Sequence, residues 1–332
     1  MPLQIGIIGY GYMGEIRHRT LIQHKNIDLS MICETNKKIL FDEQNITVVR
    51  NPLEVIESNV DAVFICTPNH LIPKLAIECL ERGKHVFCEK PPGRTLEDIV
   101  QMRNAENRNL GTKLMFGFNH RYHPGVLRAK SIVDSGRMGK IIALRGLYGK
   151  SGGKNFDKSW RNDFKISGGG ILLDQGIHMI DLFRYFSNDE FECLSSHLTS
   201  SFWNVECEDN AFLTLKSKND IVATLHSSAT QWKHKFLLEM AFENGYINLD
   251  GILSSTRSYA PETMIIGKRE FEDITFAMGK PKESITYYEY DNSWELELKE
   301  FIDAVNGKSV INNGTSEDAL EIMMLTDFVY KN

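Results

Sequence analysis

Two short stretches of this sequence bring chemically able side chains together. In Gly168-Gly169-Gly170-Ile171-Leu172-Leu173-Asp174-Gln175-Gly176-Ile177-His178-Met179-Ile180-Asp181, a carboxylate and an imidazole lie four residues apart, at Asp174 and His178. On a helix that spacing makes them neighbours on one face. Asp181 and Tyr185 extend the polar stripe, and Leu173, Ile177 and Ile180 lie off it, where they can pack. Histidine titrates near pH 6.5 and suits proton abstraction. A carboxylate one turn away can orient the ring and stabilise its cation. The second stretch is Glu89-Lys90-Pro91-Pro92. An ammonium there can stabilise a developing alkoxide, and the two prolines fix the backbone beside it. Taken alone, Lys90 also suits a solvated loop and His178 a structural position. Asp174, His178 and Asp181 have the types for a metal site, but no further His or Cys accompanies them, and no metal is expected.

A third feature is a phosphate cradle. Gly9-Tyr10-Gly11-Tyr12-Met13-Gly14 begins at the end of the apolar run Leu3–Gly9 and opens a helical pattern. In that context the first glycine makes a tight turn, the second lets the backbone approach a pyrophosphate, and the third permits close helix–strand packing. Glu34 follows Gly14 by 20 residues, after Ile32-Cys33, where a carboxylate can accept from an adenosine ribose. A 2′-phosphate about 4 Å away would meet like charge, on the order of 4 kcal/mol at an effective dielectric near 20. The expected cofactor is therefore NAD, with NADP as the alternative, since Lys37 and Lys38 stand close by to soften the preference.

These groups need elements to position them. Strand patterns at Leu3–Gly9, Ile27–Cys33, Ile46–Val49, Ala62–Cys66, Lys84–Cys88 and Leu114–Phe118 alternate with helical patterns at Met13–His24, His70–Glu81 and Thr95–Arg108. Thr95 with Asp98 forms a near capping box. Repeated units of this kind predict a parallel, doubly wound α/β sheet. Glu89-Lys90 then falls at a strand's carboxyl end, where such sheets bind ligands. After Asn119 the texture changes. A helix is predicted over Pro124–Ser135, a Gly-rich polar stretch over Gly146–Gly170 and a helix over Leu172–Phe186. Strands are predicted over Phe191–Phe202, Ala211–Leu215, Ala223–Trp232 and Phe236–Ile247, then two terminal helices, Trp294–Val305 and Ser316–Tyr330. Strands without intervening helices predict a largely antiparallel sheet. The expected domains are 1–120, cofactor-binding, and 121–332, substrate-binding.

Composition agrees. A length of 332 residues suits two domains, and 42% apolar with 25% charged residues is the balance of a soluble globular chain. The net charge of −6 argues against a nucleic-acid partner. No apolar run approaches a membrane span and no export signal is read, so the expected location is the cytoplasm, without membrane association. The six cysteines form no CxxC pair and read as buried free thiols.

Together these pieces resemble the glucose–fructose oxidoreductase / inositol dehydrogenase / rhizopine-catabolism (Gfo/Idh/MocA) family. The resemblance is carried by Gly9–Gly14, the strand Ala62–Cys66 ending in Thr67-Pro68, and Glu89-Lys90-Pro91. It is also carried by Phe118-Asn119-His120-Arg121-Tyr122 with Pro124, by Trp160-Arg161, and by Gly168–Asp181. It implies an N-terminal Rossmann domain and a C-terminal α/β domain with an open-faced, mostly antiparallel sheet that often forms the oligomer interface, hence a homodimer or homotetramer. It implies NAD(P)-dependent hydride transfer with a secondary alcohol or ketone of a sugar, nucleotide-sugar or inositol. Lys90, Asp174 and His178 would be catalytic. Cofactor contacts would come from Gly9, Tyr10, Gly11, Tyr12, Met13, Gly14, Glu34, Thr67, Pro68, Asn69, His70, Glu89 and Lys90. Arg121, Tyr148, Trp160 and Arg161 would line the substrate side, where Arg161 can hold a carboxylate or phosphate. One departure is Pro92-Gly93, where small apolar residues commonly follow. Two other readings stand beside this one: a catalytically silent NAD-binding sensor, and reduction of a non-sugar C=C or C=N bond.

Overall fold

Short β-branched and aromatic runs build the first sheet. Leu3–Ile8 (β1), Ile27–Cys33 (β2), Thr47–Val49 (β3), Ala62–Ile65 (β4), His85–Cys88 (β5) and Leu114–Phe116 (β6) lie in the order β3-β2-β1-β4-β5-β6. Every pairing is parallel. The computed structural model describes residues 2–35, 45–269 and 282–332. All four residues of β4 are buried, as expected of a strand covered by helices on both faces. The strand order reverses beside β1 and β4, and the crevice at their carboxyl ends is where such a sheet takes a ligand.

The helices Tyr12–Leu21, Ile72–Glu81 and Leu96–Arg108 fall where the periodicity places them. Thr95 and Asp98 form the full capping box, each side chain bonding the other's backbone N–H. Gly93 sits at φ +148°, and a Cβ there would lie 2.6 Å from Asp98 Cβ, too close for any side chain. The Pro92-Gly93 departure thus has a local cause, since Asp98 also accepts from Arg94 N–H at 2.7 Å. A short helix, Pro52–Ile56, escaped the sequence reading, though Asn51 and Glu54 give it a capping box.

The compact units differ from the expected domains at one end. Residues 1–118 cluster with 165–168 and 294–327, whereas 119–164, 169–293 and 328–332 form the second unit. The expected boundary near 120 lies close to the observed one, but 294–327 does not belong with the second unit. Phe301, on the helix Ser293–Val305, sets its ring edge-on to Phe64 and Phe87 at 5.5 and 5.6 Å. Phe116 N–H donates to Gly314 O at 2.8 Å.

In the second unit eight strands form one sheet: Ile141–Gly149 (β7), Phe191–Thr199 (β8), Asn210–Ser217 (β9), Val222–Ser228 (β10), Lys235–Phe242 (β11), Gly245–Asp250 (β12), Glu262–Lys268 (β13) and Glu283–Tyr288 (β14). Their order is β14-β13-β12-β11-β7-β10-β9-β8. Only β7 and β10 run parallel, so the sheet is mostly antiparallel as expected. Three readings needed correction. The run Phe236–Ile247 is two strands, turned at Glu243-Asn244 just before Gly245. Ala223–Trp232 stops pairing at Ser228. The stretch begun at Gly146 opens inside β7, because Gly146 has no side chain to obstruct the helix above: a Cβ there would lie 2.4 Å from Met179. That helix, Ile177–Ser187, buries Ile177, Met179, Ile180, Leu182, Phe183 and Phe186. All six cysteines are free.

Candidate functional site

In the first unit the glycine loop has the form its sequence demands. Gly9 sits at φ +92°, and a Cβ there would meet Cys66 O at 2.6 Å. A Cβ on Gly14 would lie 2.2 Å from Gly9 O, so the helix start can close on the loop only without a side chain. Around Gly11, the N-cap residue, a Cβ would meet nothing within 4 Å. The loop is therefore tight inside and open outside, where a helix N-terminus favours an anion.

Glu34 closes on the same loop. Its Oε2 accepts from Tyr10 N–H at 2.7 Å, and its carbonyl accepts from Arg50 at 2.9 Å. Past β4, Thr67 Oγ1 and His70 Nδ1 are buried polar atoms without a hydrogen-bond partner among the described residues. Such atoms need a partner, and a dinucleotide crossing the strand ends supplies hydroxyls and amide groups. The residues present fit NAD. Lys37 and Lys38 lie outside the described residues.

Two expected cofactor residues have other work. Asn69 is buried, and its Nδ2 donates to Ser167 O at 2.7 Å. Glu89 is buried and accepts from Arg17 Nε at 2.6 Å. Glu89 thus anchors the turn that carries Lys90.

In the second unit a π-helical turn, Leu172–Gly176, leads into the helix Ile177–Ser187. Asp174 lies on that turn. Its Oδ2 accepts from Lys150 Nζ at 2.6 Å, and its Oδ1 lies 3.4 Å from Arg161 Nε. His178 is buried and stacks on His120, with ring centroids 3.8 Å apart and planes 15° from parallel. Asn119 Oδ1 accepts from His120 Nδ1 at 3.1 Å, since an amide oxygen only accepts. His120 Nε2 then accepts from Tyr148 O–H at 3.0 Å. Burial pushes the Tyr148 and Tyr259 hydroxyls up, and the Asp174 charge adds to both, so each stays a donor at neutral pH. Tyr259 donates to Gln175 Oε1 at 3.3 Å.

Among the expected substrate residues, Tyr148 joins this cluster, and Arg161 lies over the Trp160 ring at 4.6 Å. Arg121 is paired within the protein. It is buried and binds Asp181 through Nε at 2.9 Å and a terminal nitrogen at 2.6 Å, a structural pair. That pairing also removes Asp181 from the expected polar stripe. Sequence reasoning missed Lys150, Gln175 and Tyr259 as site residues. It quoted His120 only within a motif, and Lys150 stood inside the Gly-rich stretch Gly146–Gly170.

Residues 3–118 match the model of the "Oxidoreductase family, NAD-binding Rossmann fold" and residues 126–248 that of the "GFO/IDH/MocA C-terminal domain". The levoglucosan dehydrogenase of Pseudarthrobacter phenanthrenivorans is 32% identical over 60% of this chain and 54% of its own length. The myo-inositol 2-dehydrogenase of Thermotoga maritima is 32% identical over 57% of this chain and 56% of its own length. These alignments thus span little more than half of either relative. An uncharacterised oxidoreductase of Bacillus subtilis, YrbE, is 26% identical over 95% of this chain and 90% of its length. The structure of a levoglucosan dehydrogenase in complex with NADH superposes with a TM-score of 0.85 at 22% identity, covering 100% of this chain and 96% of that one, a likeness of fold.

Proposed function

The chain belongs to the Gfo/Idh/MocA family of NAD-binding oxidoreductases, and from that premise we propose that it oxidises a secondary alcohol of a sugar, nucleotide-sugar or inositol, or reduces the matching ketone. The observation that carries the reading is the glycine loop, open at Gly11 and held by Glu34 on Tyr10 N–H at 2.7 Å. NAD, when bound, supplies the hydride acceptor for the carbon that bears the hydroxyl. The chain's own residues handle the proton. His178 takes it from the hydroxyl, fixed in orientation by its stack on His120. Asp174, one turn earlier, holds the cations Lys150 and Arg161 at the site. Lys90, anchored through Glu89, stabilises the alkoxide as it forms. Relatives named for levoglucosan and myo-inositol support a polyhydroxylated ring as substrate.

The second unit's sheet also supports self-association. On one face Phe212 stacks on His226 at 4.1 Å, and Phe212 and Val222 are exposed. A second copy covering this face would form a homodimer, and two such pairs a homotetramer. Among the described residues no helix is long and apolar enough to cross a membrane.

The test is near-ultraviolet absorbance of NADH after mixing protein and NAD with levoglucosan, inositols, free sugars and nucleotide-sugars. At least one should be oxidised, and His178→Ala should abolish most turnover while NAD still binds. Unchanged turnover in that variant sinks the assignment of the base. Bound NAD with no turnover across the panel favours the sensor reading.

A further inference from the structure

The Asp174 carboxylate carries two cations. Lys150 Nζ lies 2.6 Å from Oδ2 and Arg161 Nε 3.4 Å from Oδ1. One carboxylate balances one of them, and a positive charge is left over. The chain around them repeats the imbalance. Lys150, Lys154, Lys158 and Arg161 stand against Asp157 alone in residues 150–161, within a chain of net charge −6.

The two cations differ in setting. Lys150 is 14% exposed, with its ammonium 5.4 Å from the Phe156 ring centroid, so water and salt screen it poorly. Its field reaches His234: burial, and then the Lys150 charge, push that imidazole down. Arg161 is 43% exposed, and its guanidinium carbon lies 4.6 Å from the Trp160 ring centroid, a contact that limits where its planar fork can point. Tyr148 and Tyr259, both neutral donors, feel the Asp174 charge as well. A neutral ligand leaves the surplus charge without a partner, whereas an oxyanion meets a preset ammonium and a planar fork.

We propose that Lys150 and Arg161 recognise an anionic group, a carboxylate or a phosphate monoester, on the substrate, which makes the substrate an acidic sugar derivative. This deepens the reading of the second unit as the place where a sugar hydroxyl is deprotonated, and it rests on that reading. Asp174 keeps the two cations apart and oriented before the ligand arrives, and the ligand's anion supplies the second negative charge.

Calorimetry on the full chain with NADH present tests it. The probes are glucose, glucuronate, glucose 6-phosphate and inorganic phosphate. At least one acidic sugar should bind tenfold or more tighter than glucose, weaken as salt is raised, and lose at least tenfold in Arg161→Met. Glucuronate against glucose 6-phosphate tells carboxylate from phosphate, and free phosphate tells whether the anion alone suffices. Lys150→Met should cause the same loss. If it fails to fold, the exposed Arg161 variant still decides. Equal binding of glucose and both acids, or an acid preference untouched by Arg161→Met, overturns the proposal. Binding does not require turnover, so failure of the oxidoreductase reading shows separately, as bound acid without NADH formation from NAD.

Discussion

Arg17 donates from Nε to Glu89 Oε1 at 2.6 Å, with both side chains no more than 6% exposed. The other end of the guanidinium lies 2.7 Å from Glu297 Oε2, and its flat faces meet the rings of Phe87 at 4.3 Å and Trp294 at 4.8 Å. Glu89 immediately precedes Lys90, so a buried ion cluster fixes the turn on which the lysine sits. Removing one partner of such a cluster strands the other charges without water. Arg17→Met should therefore cost about 3–5 kcal/mol in urea unfolding. A loss under about 1 kcal/mol, the range of a surface pair, would show that the cluster does not anchor the turn.

The same cluster makes stability depend on pH. Burial pushes the Glu297 carboxyl up to about 7; Arg17 pulls the other way, and Glu89 adds to the rise. The folded chain thus keeps this proton after the unfolded chain has released it at an ordinary carboxylate pKa, near 4.3. The group's stabilising contribution is complete below the unfolded pKa, declines as pH rises, and is gone above about 7. Glu297→Gln removes the titration and keeps the shape. Its stability relative to the parent should improve by up to about 3 kcal/mol between pH 4.5 and 7.5. Denaturant midpoints across that range check it, and a constant difference would mean that Glu297 is ionised throughout.

What the sequence disclosed follows from what each signal needs. The glycine loop, the first sheet and the Thr95 cap depend on neighbours in sequence, and all were legible. The cluster behind Lys90 was not. Arg17 stands in Glu15-Ile16-Arg17-His18-Arg19, where nothing distinguishes the buried guanidinium from exposed Arg19. Its partners come from β5 and from a helix more than 270 residues away. The assignment of 294–327 to the second domain failed for the same reason, since Phe301 meets Phe64 and Phe87 only after folding. In the second unit, Asp174 and His178 were legible by spacing. Lys150 was not, because its link to Asp174 runs from a strand end to a helix.

The glycine loop separates packing from ligand approach. A Cβ at Gly14 would press to 2.2 Å from Gly9 O, whereas one at Gly11 meets nothing within 4 Å. Gly14→Ala should lower the melting temperature and weaken NAD binding together. Gly11→Ala should leave melting of the ligand-free protein within about 1 kcal/mol of the parent, because Gly11 has φ −79°, which alanine adopts freely. It should still weaken NAD at least tenfold, by placing a methyl where the pyrophosphate needs the backbone. Thermal melts and NAD titrations on both variants check the pair. Tight NAD binding by Gly11→Ala would move the pyrophosphate away from this loop.

Glu34 sets the last prediction, because its carboxylate has two duties. It accepts from Tyr10 N–H at 2.7 Å, which shapes the loop, and it places negative charge where the adenosine ribose would lie. Glu34→Gln separates them. An amide oxygen can still accept from Tyr10, so NAD binding should fall only modestly. The charge that opposes a 2′-phosphate is gone, however. The unscreened repulsion is on the order of 4 kcal/mol at about 4 Å and a dielectric near 20, and partial exposure reduces it. The NADP-to-NAD ratio of kcat/KM should therefore rise roughly ten- to a hundredfold. Fluorescence titration of NADH against NADPH gives the same ratio without a substrate. An unchanged ratio would mean that the carboxylate serves the loop alone and that the cofactor preference is set elsewhere.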